Sequence, residues 1–434
     1  MPDFDLRINF HVFRETNLMS EKTPFDTSTH LDLQLMQGFP PPPDKRVTRL
    51  NGLWEPPFNR WAYQNMRKIW PTAPVTPTPT GAGLEREIDP SVEQISVRRR
   101  DGSSADFATF LRETFTDSFV VVKGGKIVHE TYLNGMSAAQ PHIMFSCTKS
   151  FIGLFALTAI EEGLVSRDTP LAAIIPELDN GGGFADASFG NVLDMTTSLK
   201  FSEYYADPNA EIHDYAAVLG AGVKADGARP SPDLYTYALA LEKNPSRPHG
   251  TVFEYQTPQA DVLNWVVNRV IGRSFIETLE ERIWSKAGMA DEAYVLLDPA
   301  GNLFAGGGLS ASPNDIARFA AIMLDNGQWN GAQIIRKSVI DTLSKGASTA
   351  AFLKGPNAEE DMANGHWSYC AQWWIRNTPG SEAIIANGVN GQWIYIDRKR
   401  DVAVVKQSSQ PEADSWYFHD YTTNAIDAVV RHWT

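Results

Sequence analysis

The sequence predicts an α+β fold: an antiparallel sheet flanked by helices, built from both ends of the chain, with a mostly helical lobe inserted between them. Two observations predict it. Strand-like runs occur at 119–122 and 126–132, and again at 383–386, 392–396 and 402–407. The segment between them, about 166–290, carries helical and loop signals instead, such as the run 261–270. A hairpin from 119–132 can join the three late strands in one sheet, and a cleft between sheet and lobe is where a ligand site is expected.

Residues 1–50 are polar and weakly periodic, with prolines at 40–43, and read as an extension on the surface or at a subunit contact. Residues 51–105 hold an aromatic arm, with WEPPFNRWAY at 54–63, and a stiff Pro/Thr linker, PTAPVTPTPTGAG at 71–83. A disordered tail would not carry so many aromatics, so the arm is expected to pack on the body. The sheet subdomain is assigned to 106–165 and 291–434, and the helical subdomain to 166–290. Within the first, 107–115 is apolar at helical spacing, and Gly124-Gly125 turns the hairpin. After Ser146 a helix apolar on most sides (Phe151, Ile152, Leu154, Phe155, Leu157, Ile160) runs to Gly163, the pattern of a central helix. A last helix is expected at 421–432.

The 434 residues are 43% hydrophobic, 11% aromatic and 21% charged, as in a folded soluble protein. A net charge of -14 argues against nucleic acid or an anionic membrane as partner. With two cysteines, no C-x-x-C and no H-E-x-x-H, neither a disulfide framework nor a metal site is expected, and no cofactor. The N-terminus lacks a basic region followed by an apolar run, and no apolar stretch approaches the ~20 residues a membrane helix needs. The expected location is cytoplasmic.

The strongest chemical signal is Ser146-Cys147-Thr148-Lys149, S-x-x-K at a helix start. Positions i and i+3 share a helix face, which sets the lysine amine beside the serine hydroxyl. A serine needs a neighbour to take its proton, and burial lowers a lysine pKa toward neutrality. Tyr255, in GTVFEYQT at 250–257, precedes a helix; a phenol near an ammonium group can have its pKa lowered and act as a base. Gly388-Val389-Asn390-Gly391-Gln392 lies between two strands, where glycines let an edge strand approach a ligand and backbone N–H groups can hold an oxyanion. His142 lies four residues before Ser146, but no G-x-S-x-G surrounds the serine. Cys147 is read as packing.

Ser-x-x-Lys, a mid-chain tyrosine in Gly-Thr-x-Phe-x-Tyr and a late Gly-rich strand, in that order, resemble the β-lactamase-related serine hydrolases with their β-lactamase/transpeptidase-like fold. That group includes class C β-lactamases, D-stereospecific peptidases and family VIII carboxylesterases. The chain is most similar to the 6-aminohexanoate-dimer (nylon-oligomer) hydrolases. WEPPFNRWA at 54–62, YYADP at 204–208, DVLNW at 261–265 and QWW at 372–374 add to this likeness, which spans roughly 52–430. It implies Ser146 as acyl-forming nucleophile and Lys149 and Tyr255 as the groups sharing its proton. It further implies the N–H groups of Ser146 and Val389 as oxyanion hole. Tyr205 and Asp214 are implied contacts to the substrate amide and its amine, with Gly306, Asn390 and Gly391 also lining the substrate. The sequence departs from class C enzymes in Tyr255-Gln256-Thr257 and in Val-Asn-Gly where they carry Lys-Thr-Gly. Gly306 stands where a nylon-oligomer hydrolase can have a polar side chain, and a pocket widened there would admit a bulkier ester or amide.

The resulting expectation is a serine hydrolase of small amides and esters acting through an acyl-enzyme, with a small-molecule amide or ester as its partner. A homodimer is left open. The alternatives are a carboxylesterase with little amidase activity and a non-catalytic binding or sensor protein on the same scaffold.

Overall fold

The computed structural model describes residues 25–79, 83–221 and 231–433. Its principal elements are β1 (Thr72–Val75), α1 (Phe107–Glu113), β2 (Thr116–Lys123), β3 (Lys126–Tyr132), β4 (His142–Ile143) and α2 (Cys147–Glu161). Next come α3 (Glu211–Leu219), α4 (Pro258–Ile271), β5 (Ala293–Leu296), β6 (Leu309–Ala311) and α5 (Pro313–Leu324). The chain closes with β7 (Trp367–Cys370), β8 (Trp373–Thr378), β9 (Ser381–Gly388), β10 (Gln392–Asp397), β11 (Val402–Ser408) and α6 (Trp416–Arg431).

Seven strands form one antiparallel sheet in the order β7-β8-β9-β10-β11-β2-β3. The hairpin does join the late strands: β2 pairs β11, with Val404 opposite Val121. Successive side chains on a strand point to opposite faces, and here both faces are buried. Phe119 and Val121 face α1 and α6 in a core with Phe110, Tyr421 and Val429. Val120 and Val122 face a second core containing Phe151 and Phe155 of α2 and Phe319 of α5. Two more strands than expected, β7 and β8, extend the sheet. Their sequences, WSYC and WWIRNT, are short, and only the tryptophans, Tyr369, Ile375 and Thr378 mark them as strands. Helix α5 also went unread, although Ser312 caps it, Pro313 opens it and Asp315 sits in its first turn.

The Pro/Thr stretch is not a simple linker. Residues 72–75 form the edge strand β1 of a second, four-stranded sheet, β1-β5-β6-β4, pairing with β5. An edge tolerates Pro74 because one side of the strand needs no N–H. Of the extension, 1–24 lies outside the described residues, while Leu35 and Val47 are buried. The aromatic arm packs as its composition suggests. Leu53, Trp61, Tyr63, Met66 and Trp70 are buried in the same core as α2.

Helix α2 is buried on nearly every side over its 15 residues. Burying a Phe or Ile fully is worth roughly 1.5–3 kcal/mol, so Phe151, Ile152 and Phe155 make α2 a fixed post. Two hydrogen bonds lock it to the sheet: Ser150 Oγ donates to the Gln372 carbonyl (2.8 Å) and Trp373 Nε1 to the Ser150 carbonyl (2.9 Å). The N-terminus of α2 is thereby held at the boundary between sheet and helical segment.

Candidate active site

Ser146 is the N-cap of α2. The residue before it, Phe145, has φ 43°, a left-handed conformation that a bulky residue adopts only when its surroundings enforce it. Those surroundings are aromatic and come from the arm. Trp54 stacks on Phe145 (centroids 6.1 Å apart, 17° between planes), and Tyr63 meets it edge-on at 4.9 Å. Thr148 Oγ1 donates to the Phe145 carbonyl and accepts from Leu309 N–H, tying the turn to β6.

Lys149 Nζ donates to Ser146 Oγ (2.8 Å) and to the Gly306 carbonyl (2.5 Å). The lysine is fully buried. Burial lowers its pKa from 10.5 to about 8, against an upward pull from Glu203 and Asp261. The Tyr255 side chain also meets Ser146, and Lys149 Nζ lies 5.1 Å from the centre of its ring. Trp374 stacks on Tyr255 at 5.4 Å and Tyr369 meets it edge-on at 5.9 Å. Ser146 and Lys149, with Tyr255 more than a hundred residues further along the chain, therefore converge. One expectation fails: the Tyr255 phenol is not acidified. Burial, with Glu203, pushes its pKa well above 10 and outweighs the contact with Ser146. Of the two groups, only Lys149 is deprotonated to any extent near pH 7, and so only it can act as the base.

Two carboxylates act on the lysine, Glu203, part-buried, and Asp261, fully buried, and the sequence assigns neither a role. Glu203 accepts from Thr257 N–H (2.5 Å), Thr257 Oγ1 (2.7 Å) and Tyr205 OH (3.1 Å). All three are acceptor bonds, the pattern of an ionised carboxylate. Burial nonetheless raises its pKa, with Lys149 and these donors pulling the other way. Asp261 accepts from Tyr215 OH (2.5 Å) and Gly306 N–H (3.3 Å), and burial raises its pKa to about 7. The Gly306 peptide thus links Lys149 to Asp261. Asp261 stands inside the helical run read at 261–270, and an acid on the buried side of an apolar helix was the available signal. Glu203, two residues before Tyr205 in a loop, offers none.

A small cavity opens beside Ser146, lined by Leu53, Trp54, Tyr205, Ile212, Ala216 and Phe304 among others. Tyr205, Gly306 and Val389 belong to this lining. Asp214 does not. Helix α3 presents Ile212, Tyr215, Ala216 and Leu219 to the cavity, the i, i+3, i+4, i+7 face. Asp214 falls off that stripe and acts on Tyr237 instead. Gly306 does not widen the pocket. A Cβ there would sit 2.4 Å from Thr257 Cγ2 and 2.9 Å from Tyr215 OH, so the space is already filled.

The Gly-rich segment is the turn from β9 to β10. Strand β9 is interior to the sheet, not an edge, but β8 pairs with it only as far as Ile385, so its last residues are open on that side. A Cβ at Gly388 would lie 2.5 Å from the Met144 carbonyl and 3.1 Å from Ser146 N, which shows how closely the turn abuts the serine. Among the described residues, neither Ser146 N–H nor Val389 N–H donates to a protein acceptor. Asn390 and Gly391 do not line the cavity. Asn390 is buried, donating from N–H to the Ala413 carbonyl (2.9 Å) and from Nδ2 to the Gln410 carbonyl (2.8 Å), and a Cβ at Gly391 would strike the Gln410 side chain. Both hold the turn. Next to Ala413, the exposed carboxylate of Asp414 acts electrostatically on both Tyr205 and Tyr255. His142 turns away from Ser146; its Nε2 faces Asp117 Oδ2 at 3.0 Å. Cys147 is a buried free thiol.

A serine, a buried lysine and a tyrosine meeting at the end of a seven-stranded antiparallel sheet mark the β-lactamase/transpeptidase-like fold. The chain belongs to the β-lactamase family, whose sequence profile matches residues 107–422, and it is a hydrolase. It is 30% identical to a 6-aminohexanoate-dimer hydrolase of Paenarthrobacter ureafaciens over 396 residues, 88% of this chain and 93% of that one. A Bacillus anthracis structure assigned as a 6-aminohexanoate-dimer hydrolase superimposes with a TM-score of 0.80 at 28% identity, covering 90% of this chain and 98% of that one. The octameric penicillin-binding protein homologue of Pyrococcus abyssi shares the fold (TM-score 0.54, 18% identity, 74% and 75% covered). Among the described residues, no helix is long and apolar enough to cross a membrane.

Proposed function

We propose that the protein hydrolyses small carboxylic esters and amides with an uncharged acyl group, through an acyl-enzyme on Ser146. The observation that carries this reading is the 2.8 Å hydrogen bond from a fully buried Lys149 to Ser146 Oγ. In its neutral form Lys149 takes the serine proton as Oγ attacks the substrate carbonyl. The tetrahedral oxyanion is held by the Ser146 and Val389 N–H groups, which among the described residues have no competing acceptor. Tyr255, which stays protonated, relays the proton to the leaving group and is recharged from Lys149. Water then cleaves the acyl-enzyme by the same path in reverse.

Among the described residues, the lining of the cavity contains no charged side chain. This favours an apolar, uncharged acyl group over the ammonium-bearing one of an aminohexanoate dimer, and with it the carboxylesterase as second reading. Amide cleavage is supported by Tyr205. Its hydroxyl donates to Glu203, which leaves the phenolic oxygen free to accept the N–H of a scissile amide.

An active-site-directed phosphonate and a panel of p-nitrophenyl esters and anilides test this. Wild type should be labelled once per chain, and Ser146→Ala should lose labelling and at least 10³-fold in kcat with the fold intact. A Ser146→Ala variant keeping a tenth of the activity, roughly 1.4 kcal/mol in barrier, would sink the mechanism. Tyr205→Phe should reduce anilide hydrolysis by roughly 1–2 kcal/mol more than ester hydrolysis. Equal losses would leave a carboxylesterase.

A further inference from the structure

The wall of the cavity opposite the helical segment comes from outside the part of the chain that defines the family. Leu53 and Trp54 lie in the arm, more than fifty residues before the matched segment begins at 107, yet both line the cavity beside Ser146. The Trp54 indole stacks on Phe145 and lies 5.7 Å from the Tyr205 ring, so it spans from the residue preceding the serine to the helical side of the cleft. The facing wall is Ile212, Ala216 and Leu219, all aliphatic. The space between them is a narrow slot.

Trp54 differs from its aromatic neighbours in how it is held. Tyr63 donates its hydroxyl to the Leu53 carbonyl (2.8 Å), and Tyr205 donates to Glu203. Among the described residues, the buried Trp54 indole N–H has no hydrogen-bond partner. The ring is therefore positioned by stacking alone, without a polar tether, and replacing it strands no partner group. Stacking is tolerant of small sliding movements, whereas a hydrogen bond of fixed length is not.

We propose that Trp54 is the specificity-determining residue of this site: the arm places its indole as an apolar wall that limits the length of the alkyl chain a substrate carries. This rests on the ester and amide hydrolysis proposed above and names the substrate class more closely: esters and amides with a short unbranched alkyl substituent, flat enough to lie between the indole and the α3 stripe. An aliphatic chain gains from both faces of such a slot, while a bulky or charged substituent fits neither.

The test uses the full chain and two substrate series, p-nitrophenyl alkanoates from acetate to decanoate and alkyl acetates from methyl to octyl. Trp54→Ala should raise kcat/KM for the longest member relative to the shortest by at least tenfold in one series. Trp54→Phe, which keeps a stacked ring, should stay within about threefold of the wild-type profile. Phosphonate labelling of each variant reports whether Ser146 is still assembled. Normal labelling with an unchanged length profile in Trp54→Ala overturns the inference alone. Lost labelling in Trp54→Ala but not in Trp54→Phe, with no change of profile in any variant, including Trp54→Val, assigns the indole to holding Phe145 and also overturns it. A wild type that is neither labelled nor active on either series sinks the hydrolase reading itself, and this inference with it.

Discussion

Lys149 is held between opposing influences, and its chemistry follows from their balance. At an ordinary pKa of 10.5 only about 0.03% of the lysine would be neutral at pH 7; at about 8, near a tenth is, a gain of roughly 300-fold in usable base. Burial supplies the downward push, and the charges of Glu203 and Asp261 limit it. A base whose pKa is lowered becomes active above that value, so kcat/KM should rise with pH through a limb near 8. Glu203→Gln removes a negative charge that favours the ammonium form. The Lys149 pKa should then fall further and the limb move to lower pH, by roughly one pH unit. A pH–rate profile on a neutral ester reads this directly. A limb that stays in place would show that Glu203 is not ionised beside Lys149; one that moves to higher pH would contradict the electrostatics outright.

The elements that carry the site differ in how openly the sequence declares them. The hairpin at 119–132 and the three late strands are legible chiefly because strands such as β2 and β11 are buried on both faces, leaving long β-branched runs such as Val120, Val121, Val122 and Val402, Val404, Val405. Helix α2 is legible for the same reason, and S-x-x-K at its start locates Ser146 and Lys149 at once. What escapes is whatever depends on contacts distant in the chain. Strand β1 looks like a linker because its partner is β5, more than two hundred residues away. Asp214 is the acid that the family resemblance points to, but the stripe of α3 that meets the cavity is set by Ile212 and Ala216. Asn390 and Gly391 are neighbours of Val389 in sequence, yet they face Gln410, a partner that only the fold brings near. Gly388 is the residue of that turn on which most depends. A methyl group there meets the Met144 carbonyl, a backbone atom that cannot step aside cheaply, so the turn itself must move. Gly388→Ala should therefore reduce kcat by 10²–10³-fold, the range for a lost oxyanion donor, with KM little changed. Wild-type kcat in this variant would mean that the Val389 N–H does not hold the oxyanion.

The whole molecule is joined beneath the site by a buried polar cluster that links arm, sheet and serine turn. Asp117 on β2 accepts from Arg60 of the arm (3.1 Å), Asn134 Nδ2 (2.9 Å), Ser409 Oγ (2.7 Å) and His142 Nε2 (3.0 Å). Burial alone would raise its pKa, but Arg60, His142 and Ser409 together bring it below the ordinary value. Lys406 on β11 is buried near this cluster, donating to Ser408 Oγ and, at 3.4 Å, to the Thr114 carbonyl, and burial lowers its pKa to about 7. In the unfolded chain the same lysine keeps its proton up to about 10.5. Between those values the unfolded state binds one more proton than the folded state, so stability rises with pH from about 7 toward 10.5. Below 7 both states are protonated and the full penalty of a buried ammonium remains. Lys149, lowered to about 8, contributes a slope of the same sign. Lys406→Met keeps the length of the side chain and removes the charge. It should stabilise the fold below pH 7 by about 1–4 kcal/mol, the range for replacing a buried charge with an apolar group of similar volume. The gain should shrink as pH approaches 10. Thermal denaturation from pH 6 to 9.5 measures both effects. Because Asp117 retains Arg60, His142, Asn134 and Ser409 in this variant, a uniform loss of stability at every pH would show instead that the Lys406 ammonium is a favourable partner of Asp117 and stays protonated throughout.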